Sequence, residues 1–247
     1  MSTAAANARS VRPAPTRWTL VARARGETPE ARQALGDLCA AYYGVVEEFI
    51  RWQTGDPQTA RDLTHEFFSR LLGGGGLEGA DPVRGRFRSY LFGAVKHFLG
   101  SERARRGAAK RGGHAGHLSL EQGGTDTHPG IEIADGRAAS PEAEFDRHWA
   151  TMMLARALDR LAAAMAAEGR SAQFELLKPC LQGASPPSQA SLAEALGMSE
   201  TAVKVAIHRL RKRFREAVKA EIAETLRDPA TVGEELRHLV QALAGES

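Results

Sequence analysis

The sequence predicts an all-α protein with two helical domains joined by a flexible linker. Apolar side chains recur at spacings of three and four along most of the 247 residues, whereas the alternation typical of strands is scarce. Eight glycines lie between residues 107 and 140, where almost no apolar periodicity is present. A linker in this stretch separates a predicted first domain, residues 17–106, from a predicted second domain, residues 141–220.

The first predicted helix begins at an N-terminal cap. Thr28 is placed to cap the helix, Pro29 suits its first position, and Glu30 carries a charge that the helix dipole favours. The apolar residues that follow form one buried stripe, which comprises Leu35, Leu38, Tyr42, Val45, Phe49 and Trp52. We therefore expect one long helix that buries a whole face.

Two more helices complete the predicted first domain. Asp56-Pro57 interrupts the chain, and a second helix is expected from about Thr59 to Leu72, with inward-facing Leu63, Phe67 and Leu71. Four glycines at 73–76 end it. A third, basic helix is expected from Phe87 to Arg106, with its apolar side formed by Phe87, Leu91, Val95 and Phe98. Residues 1–16, rich in Ala and containing two Pro, are expected to be a disordered leader.

The second domain is predicted to start with a capped helix at Ser140-Pro141-Glu142, followed by a shorter helix near 172–181. Its last long helix is expected to continue to Arg227. Residues 221–247 form a C-terminal helical extension, in which Asp228-Pro229 begins an amphipathic helix. Three apolar side chains of that helix need burial, so we interpret the extension as a cap on the second domain; they are Leu236, Leu239 and Leu243.

The stretch from Ser191 to Arg215, SLAEALGMSETAVKVAIHRLRKRFR, predicts a helix-turn-helix. Gly197 can adopt the left-handed backbone that ends a helix, and Ser199 can cap the next one. The second helix has an apolar stripe and an opposite cationic face, which is typical of a helix that lies in the major groove of DNA. A solvated surface helix is the alternative. The candidate DNA-binding residues are Ser199, Thr201, Lys204, His208, Arg209, Arg211, Lys212 and Arg215.

The distribution of charge is more informative than the net charge of +3. Residues 84–111 contain nine Lys and Arg against one acid, Glu102, and residues 204–219 contain seven against one, Glu216. These segments carry +8 and +6, so the rest of the chain carries −11. Two cationic segments on an otherwise acidic chain favour two contacts with one polyanion, for which DNA is the obvious candidate.

Other kinds of site are disfavoured by context. Cys39 and Cys180 form no CxxC pattern, and His114 and His117 have no third metal ligand nearby, so we expect no metal and no cofactor. The glycines Gly74, Gly76 and Gly79 satisfy GxGxxG, yet they follow a predicted helix instead of a strand. The chain has no apolar run of 18 residues and no signal-peptide pattern, so we expect a cytoplasmic protein without a membrane contact and without catalysis.

Two parts of the sequence resemble one known family. The segments DPQTARDLTHEFFSRLL and FRSYLFGAVKHFLGSERARR are similar to region 2 of bacterial sigma factors of the extracytoplasmic-function type. The stretch SLAEALGMSETAVKVAIHRLRKRFR is similar to region 4 of the same family, and the resemblance covers roughly residues 17–220. It implies a sigma factor that binds core RNA polymerase through the β′ and β subunits and directs promoter recognition and DNA melting. The resemblance also leaves open a further partner, an anti-sigma factor.

The resemblance also implies roles for individual residues. The helix at 59–72 would dock on a coiled coil of the β′ subunit through Asp62, His65, Glu66 and Ser69. Family members often have Gln where this chain has His65. The basic helix would capture the minus-10 DNA through Arg86, Arg88, Tyr90, Lys96, His97, Arg103, Arg105 and Arg106. Phe87 and Phe98 are expected in the core, and the helix after Ser199 would read the upstream promoter element.

The sequence leaves two alternative functions open. A helix-turn-helix regulator that does not engage polymerase would explain residues 199–215, but it gives no role to the basic helix at 87–106. An enzyme that binds a nucleotide or phosphate through the glycine-rich segment is the alternative from another class.

Overall fold

A computed structural model of the chain describes residues 28–72, 86–111, 140–182 and 186–245, together with Val21 and Ala24. Within these ranges the fold is all-α, as the sequence predicts. The helices are α1 (Pro29–Thr54), α2 (Pro57–Leu72), α3 (Phe87–Arg111), α4 (Pro141–Ala167), α5 (Ser171–Leu177), α6 (Pro179–Gln182), α7 (Gln189–Leu196), α8 (Glu200–Thr225) and α9 (Val232–Ala244). The predicted leader, most of the predicted linker, the GxGxxG glycines, His114 and His117 lie outside the described residues.

The predicted caps determine where several helices begin and end. Thr28 accepts a hydrogen bond from the backbone of Ala31 at 3.1 Å, with Pro29 at the first helical position. Ser140 caps α4 in the same way, accepting from the Ala143 nitrogen at 3.1 Å. Both predicted caps are therefore confirmed. Each cap residue bonds a backbone group only three residues away, so the local sequence is enough to predict it.

Other helix ends differ from the predicted ones. The basic helix continues past Arg106 to Arg111. The helix predicted near 172–181 is divided at Pro179 into α5 and α6, since proline lacks the N–H that a continuous helix needs. At the C-terminal end α8 stops at Thr225, and a 3₁₀ turn at Pro229–Thr231 precedes α9.

The larger of two apolar cores joins α1, α2 and α3 to the first half of α4, the end of α8 and α9. At its centre the fully buried Trp149 of α4 stacks on Tyr42 of α1, with ring centroids 5.2 Å apart. Phe145 of α4 meets Phe49 of α1 edge to face at 5.4 Å. The start of α4 therefore packs into the same core as the three helices of the predicted first domain.

The smaller core lies between the end of α4, helices α5 to α7 and the first half of α8. Its buried members are Leu161, Met165, Phe174, Leu177, Cys180, Leu192, Ala193, Val203 and Leu210. Both α4 and α8 contribute to the two cores. These two long helices therefore fix the position of the smaller core relative to the larger one.

Two predicted core residues lie at the surface instead. Trp52 is 40% exposed, and its ring stacks on Phe49 of its own helix. Leu243 is also 40% exposed, while Leu239 beside it is buried as predicted. Each of the two exposed residues lies in the last turn of its helix, where neighbouring helices cover fewer sides. Phe87 and Phe98, by contrast, are buried as predicted.

The two cysteines, Cys39 and Cys180, are free and buried. Burial raises the pKa of the Cys39 thiol to about 11, so it is protonated at neutral pH. Among the residues that the structure describes, no group of three potential ligands could hold a metal ion. None of the described helices has the length and apolar character needed to cross a membrane.

The aromatic centre of the larger core gives a testable difference between two tryptophans. Replacement of the buried Trp149 by Ala is expected to lower the free energy of unfolding by about 3–5 kcal/mol, because it leaves a cavity between α1 and α4. Replacement of the exposed Trp52 by Ala is expected to cost about 1 kcal/mol or less. Urea unfolding followed by circular dichroism measures both, and equal losses would contradict the role of Trp149.

Candidate nucleic-acid interface

The start of α8 is fixed by a tight turn after α7. Gly197 has φ 61° and ψ 36°, and the Met198 nitrogen donates to the Ala193 carbonyl at 2.9 Å. Ser199 then caps α8 by accepting from the Ala202 nitrogen at 3.2 Å. The turn residues predicted from sequence therefore have their predicted local roles, and they set the direction in which α8 leaves the turn.

One stripe of α8 anchors it in the smaller core. Val203 is fully buried and Leu210 is 3% exposed, and both belong to the cluster that contains Leu192 of α7. Ile207 and Phe214 of the same stripe are half-buried against that cluster. Because this side is held inward, the opposite side of α8 faces solvent.

The outward side of α8 carries the predicted cationic residues. The exposed members of this face, spaced at three and four residues, are Thr201, Lys204, His208, Arg211, Lys212 and Arg215. Arg211 donates to the carbonyl of Cys180 at 3.3 Å. Within the described ranges Lys204, Lys212 and Arg215 have no carboxylate partner. We call these six residues the α8 cationic face; its charges are available to a polyanion.

Arg209 and Arg213 lie beside this face and not on it. Arg209 is exposed and lines a pocket of about 200 Å³ next to Arg170 and Arg213. Arg213 forms a two-pronged pair with Glu168 at the end of α4, with N–O distances of 2.6 and 2.9 Å. Hydrogen bonding from Arg213 lowers the pKa of the Glu168 carboxyl. Arg213 therefore braces α8 against α4, a role that the sequence analysis missed.

The predicted minus-10 residues on and just before α3 have different surroundings, and three of them, Arg86, Arg88 and Arg105, are already paired with acids. Arg88 is 5% exposed and bonds Asp146 of α4, and its Nε lies 3.1 Å from Glu235 of α9. Arg86 lies 2.8 Å from the second oxygen of Glu235. In this structure the Arg88 guanidinium is buried between two carboxylates, so its contact with DNA stays a prediction that needs these pairs to open. The position of Arg86 is similar, though it is partly exposed.

Sequence spacing could not have found these partners. Asp146 and Glu235 are 58 and 147 residues from Arg88 in the chain. His238 of α9 adds a contact to Asp146 at 2.6 Å. We call Arg86, Arg88, Asp146, Glu235 and His238 the buried ionic cluster. It connects α3, α4 and α9.

Tyr90 and His97 line a groove between α2 and α3 with a volume of about 520 Å³. Arg70 stands beside them, with its guanidinium 5.0 Å from the centre of the Phe98 ring. Lys96 is exposed and lies 5.9 Å from the Phe92 ring centre, and it does not line this groove. The structure thus brings Tyr90 and His97 together but separates Lys96 from them.

The C-terminal part of α3 is held by Glu102. Glu102 is 3% exposed. Its carboxylate accepts hydrogen bonds from the guanidinium groups of Arg70 and Arg105, with an N–O distance of 2.5 Å in each case. Burial alone would raise the pKa of this carboxyl, but hydrogen bonds from Arg105 and Arg70 outweigh it and hold the pKa below its usual range. Arg103 donates to Gln53 of α1 at 2.7 Å, and Arg106 is exposed.

The predicted polymerase-binding residues lie on one side of α2. Asp62, His65 and Ser69 are exposed. Glu66 is half-buried and pairs with Arg70 at 2.6 Å and with Arg105 at 3.3 Å. Glu66 is therefore part of the ion pairs that join α2 to α3, so its carboxylate is less available to a partner than that of Asp62.

Comparisons of this chain with protein-family models, with curated proteins and with solved structures found no match. The roles of its residues therefore rest on the chemistry and geometry described above.

The ion pairs of Glu102 make the free energy of unfolding depend on pH. Because the folded-state pKa of Glu102 is lowered, its contribution is complete above the unfolded pKa of about 4.3 and is lost as the pH falls below that value. Glu102→Gln is expected to unfold more readily at pH 7 and to lose less stability than the parent between about pH 5 and pH 3. Urea titrations across this range test it, and parallel profiles for parent and variant would refute it.

Proposed function

We propose that the chain is a sigma factor that binds core RNA polymerase and directs promoter recognition and DNA melting, without catalysis of its own. The observation that supports this most is the α8 cationic face, which is exposed on a helix anchored by its opposite side. The expected site of action is the cytoplasm, where polymerase and promoter DNA are present.

In this proposal α7 and α8 act as a helix-turn-helix. The exposed N-terminal part of α8 enters the major groove at the upstream element, where Lys204 and His208 can reach base edges. Arg215, two turns further along, is suited to a phosphate contact. The cap at Ser199 adds a positive helix end that favours a nearby phosphate.

The groove between α2 and α3 is proposed as the site for the opened strand. Its lining combines aromatic rings with cations, the mixture that binds unpaired bases and the phosphates beside them. Tyr90, His97 and Arg70 are its main polar residues. On the outer side of α2, Asp62, His65 and Ser69 are proposed to contact the β′ subunit.

The division of the chain into domains at 17–106 and 141–220, with a flexible linker at 107–140, is part of the same proposal. Two domains joined by a flexible linker are expected to move relative to each other. The larger core and the buried ionic cluster join both parts in this structure. We therefore propose that polymerase and the opened DNA strand bind a rearranged form of the chain.

A regulator that does not engage polymerase is the second candidate. One observation favours it: Arg86 and Arg88, which a melting function would use, are paired with carboxylates. Pull-down with core polymerase followed by run-off transcription separates the two functions. A regulator would bind duplex DNA without forming a polymerase complex that starts transcripts.

Polymerase docking can be tested on the free side of α2. Asp62→Lys together with His65→Ala is expected to weaken binding to core polymerase, while circular dichroism stays unchanged because both side chains are exposed. Asp37→Lys, on an exposed position of α1, makes the same charge reversal elsewhere and is the matched control. Equal retention of both variants on immobilised polymerase would count against docking through α2.

Upstream recognition can be tested on α8 with two single variants. Lys204→Ala is expected to lose about 1–3 kcal/mol of discrimination at one base pair. Arg215→Ala is expected to weaken binding to all sequences alike and to lower the salt slope by about one. Binding to a promoter library at several salt concentrations measures both effects. Arg32→Ala, at an exposed position of α1, removes the same charge elsewhere and is the control, and identical profiles for all three variants would show that α8 does not read DNA.

A further inference from the structure

We propose that the C-terminal helix α9 is an autoinhibitory latch that occupies the phosphate-binding positions of Arg86 and Arg88. This inference rests on the proposed function, since it assigns to those arginines a contact with the opened DNA strand. It is compatible with the sequence-based interpretation of the C-terminal extension as a cap on the second domain, because α9 also packs on α4 and α8. In the structure the acidic start of α9 meets the beginning of α3.

The two oxygens of Glu235 are divided between two arginines. Oε1 lies 3.1 Å from Arg88 and Oε2 lies 2.8 Å from Arg86, and the side chain is 1% exposed. Glu234, 63% exposed, lies 3.8 Å from Arg86 at the rim. Oε1 accepts a hydrogen bond from Arg88, whereas Oε2 pairs with Arg86 by charge and accepts no hydrogen bond from the described residues. A phosphate would compete for the same two arginines, because guanidinium groups pair with phosphates as they do with carboxylates. Glu235 therefore holds the position of a ligand anion.

The charges of the buried ionic cluster balance only while α9 is present. Arg86 and Arg88 oppose Asp146 and Glu235, so these four side chains sum to zero. When α9 leaves, Asp146 alone faces two arginines, and the cluster carries an unbalanced positive charge. Without α9 the two guanidinium groups are open to solvent, and an excess of positive charge attracts anions. The open form is therefore stabilised by an external anion, and the phosphates of DNA supply one.

Apolar contacts hold the latch, but they cover only part of α9. Leu239 and Ala242 are 4% and 3% exposed, and Leu236 packs against the larger core. Val240 and Leu243 are 56% and 40% exposed. The 3₁₀ turn at Pro229–Thr231 separates α9 from α8. A helix of this size, anchored on one side after a turn, can leave while the rest of the larger core stays packed.

The latch is tested first by the full chain with Glu235→Gln, which keeps the shape of the side chain and removes its charge. Glu175→Gln makes the same change of net charge far from the cluster. Binding of a fluorescent single-stranded oligonucleotide, measured by anisotropy, is expected to be severalfold tighter for Glu235→Gln than for Glu175→Gln. Its salt slope is expected to steepen by about 1.4 if two phosphate contacts are gained. Adding Arg86→Ala to Glu235→Gln is expected to remove part of the gain.

Hydrogen exchange of the parent chain gives an independent test that does not need a variant to fold. Addition of the oligonucleotide is expected to speed exchange of amides in α9 while those of α1 stay protected. Unchanged exchange in α9, or equal oligonucleotide affinity of Glu235→Gln and Glu175→Gln, overturns the latch. If the parent still binds duplex DNA and core polymerase in that case, the proposed function stands. If it binds neither, the proposed function and the latch both fail.

Discussion

The burial of Phe145 and Trp149 among the aromatic rings of α1 is the constraint on which the rest of the structure depends. Helix α4 has 27 residues and is therefore about 40 Å long. Its first half is fixed in the larger core by these two rings, and its second half supplies Leu161 and Met165 to the smaller core. The position of α8, which packs along α4, follows from this anchoring. Two ion pairs from Arg160 of α4, to Glu221 and Glu224, reinforce it.

Local signals in the sequence were sufficient for the capped helix starts and for the turn before α8. Ser199 and Gly197 act on backbone groups at most a few residues away, so their roles can be read from the chain. Trp52 shows the limit of periodicity, which finds the side of a helix that faces inward but not where the neighbouring helix stops. Arg88 shows the limit of charge counting. A run of basic residues does not reveal which of them meets a distant carboxylate in the fold.

The two cationic segments consequently differ in what they offer to DNA. In α3, Arg86, Arg88 and Arg105 are all paired with acids. On the α8 cationic face the exposed Lys204 and Arg215 stay available, whereas Arg213 beside it is tied to Glu168 and Lys219 further along is tied to Glu216. If the chain binds DNA as proposed, α8 can engage a duplex without a change in the fold, whereas α3 needs a change first. An order of events follows from this difference, with the duplex bound before the opened strand.

In that order of events, the free-energy cost of uncovering the start of α3 comes from the departure of α9. The aromatic centre contributes nothing to this cost because it stays packed. Trp149 packs on Tyr42 through the α1 side of α4, while Asp146 points from α4 toward Arg88 and His238. Departure of α9 would break the contacts of Glu235 and Leu239 and leave the stacked rings in place. Breaking the aromatic centre would cost several kcal/mol for each large ring exposed, whereas DNA phosphates can replace the lost carboxylate. The buried ionic cluster is therefore the place where the chain can exchange an internal anion for an external one while its larger core remains folded.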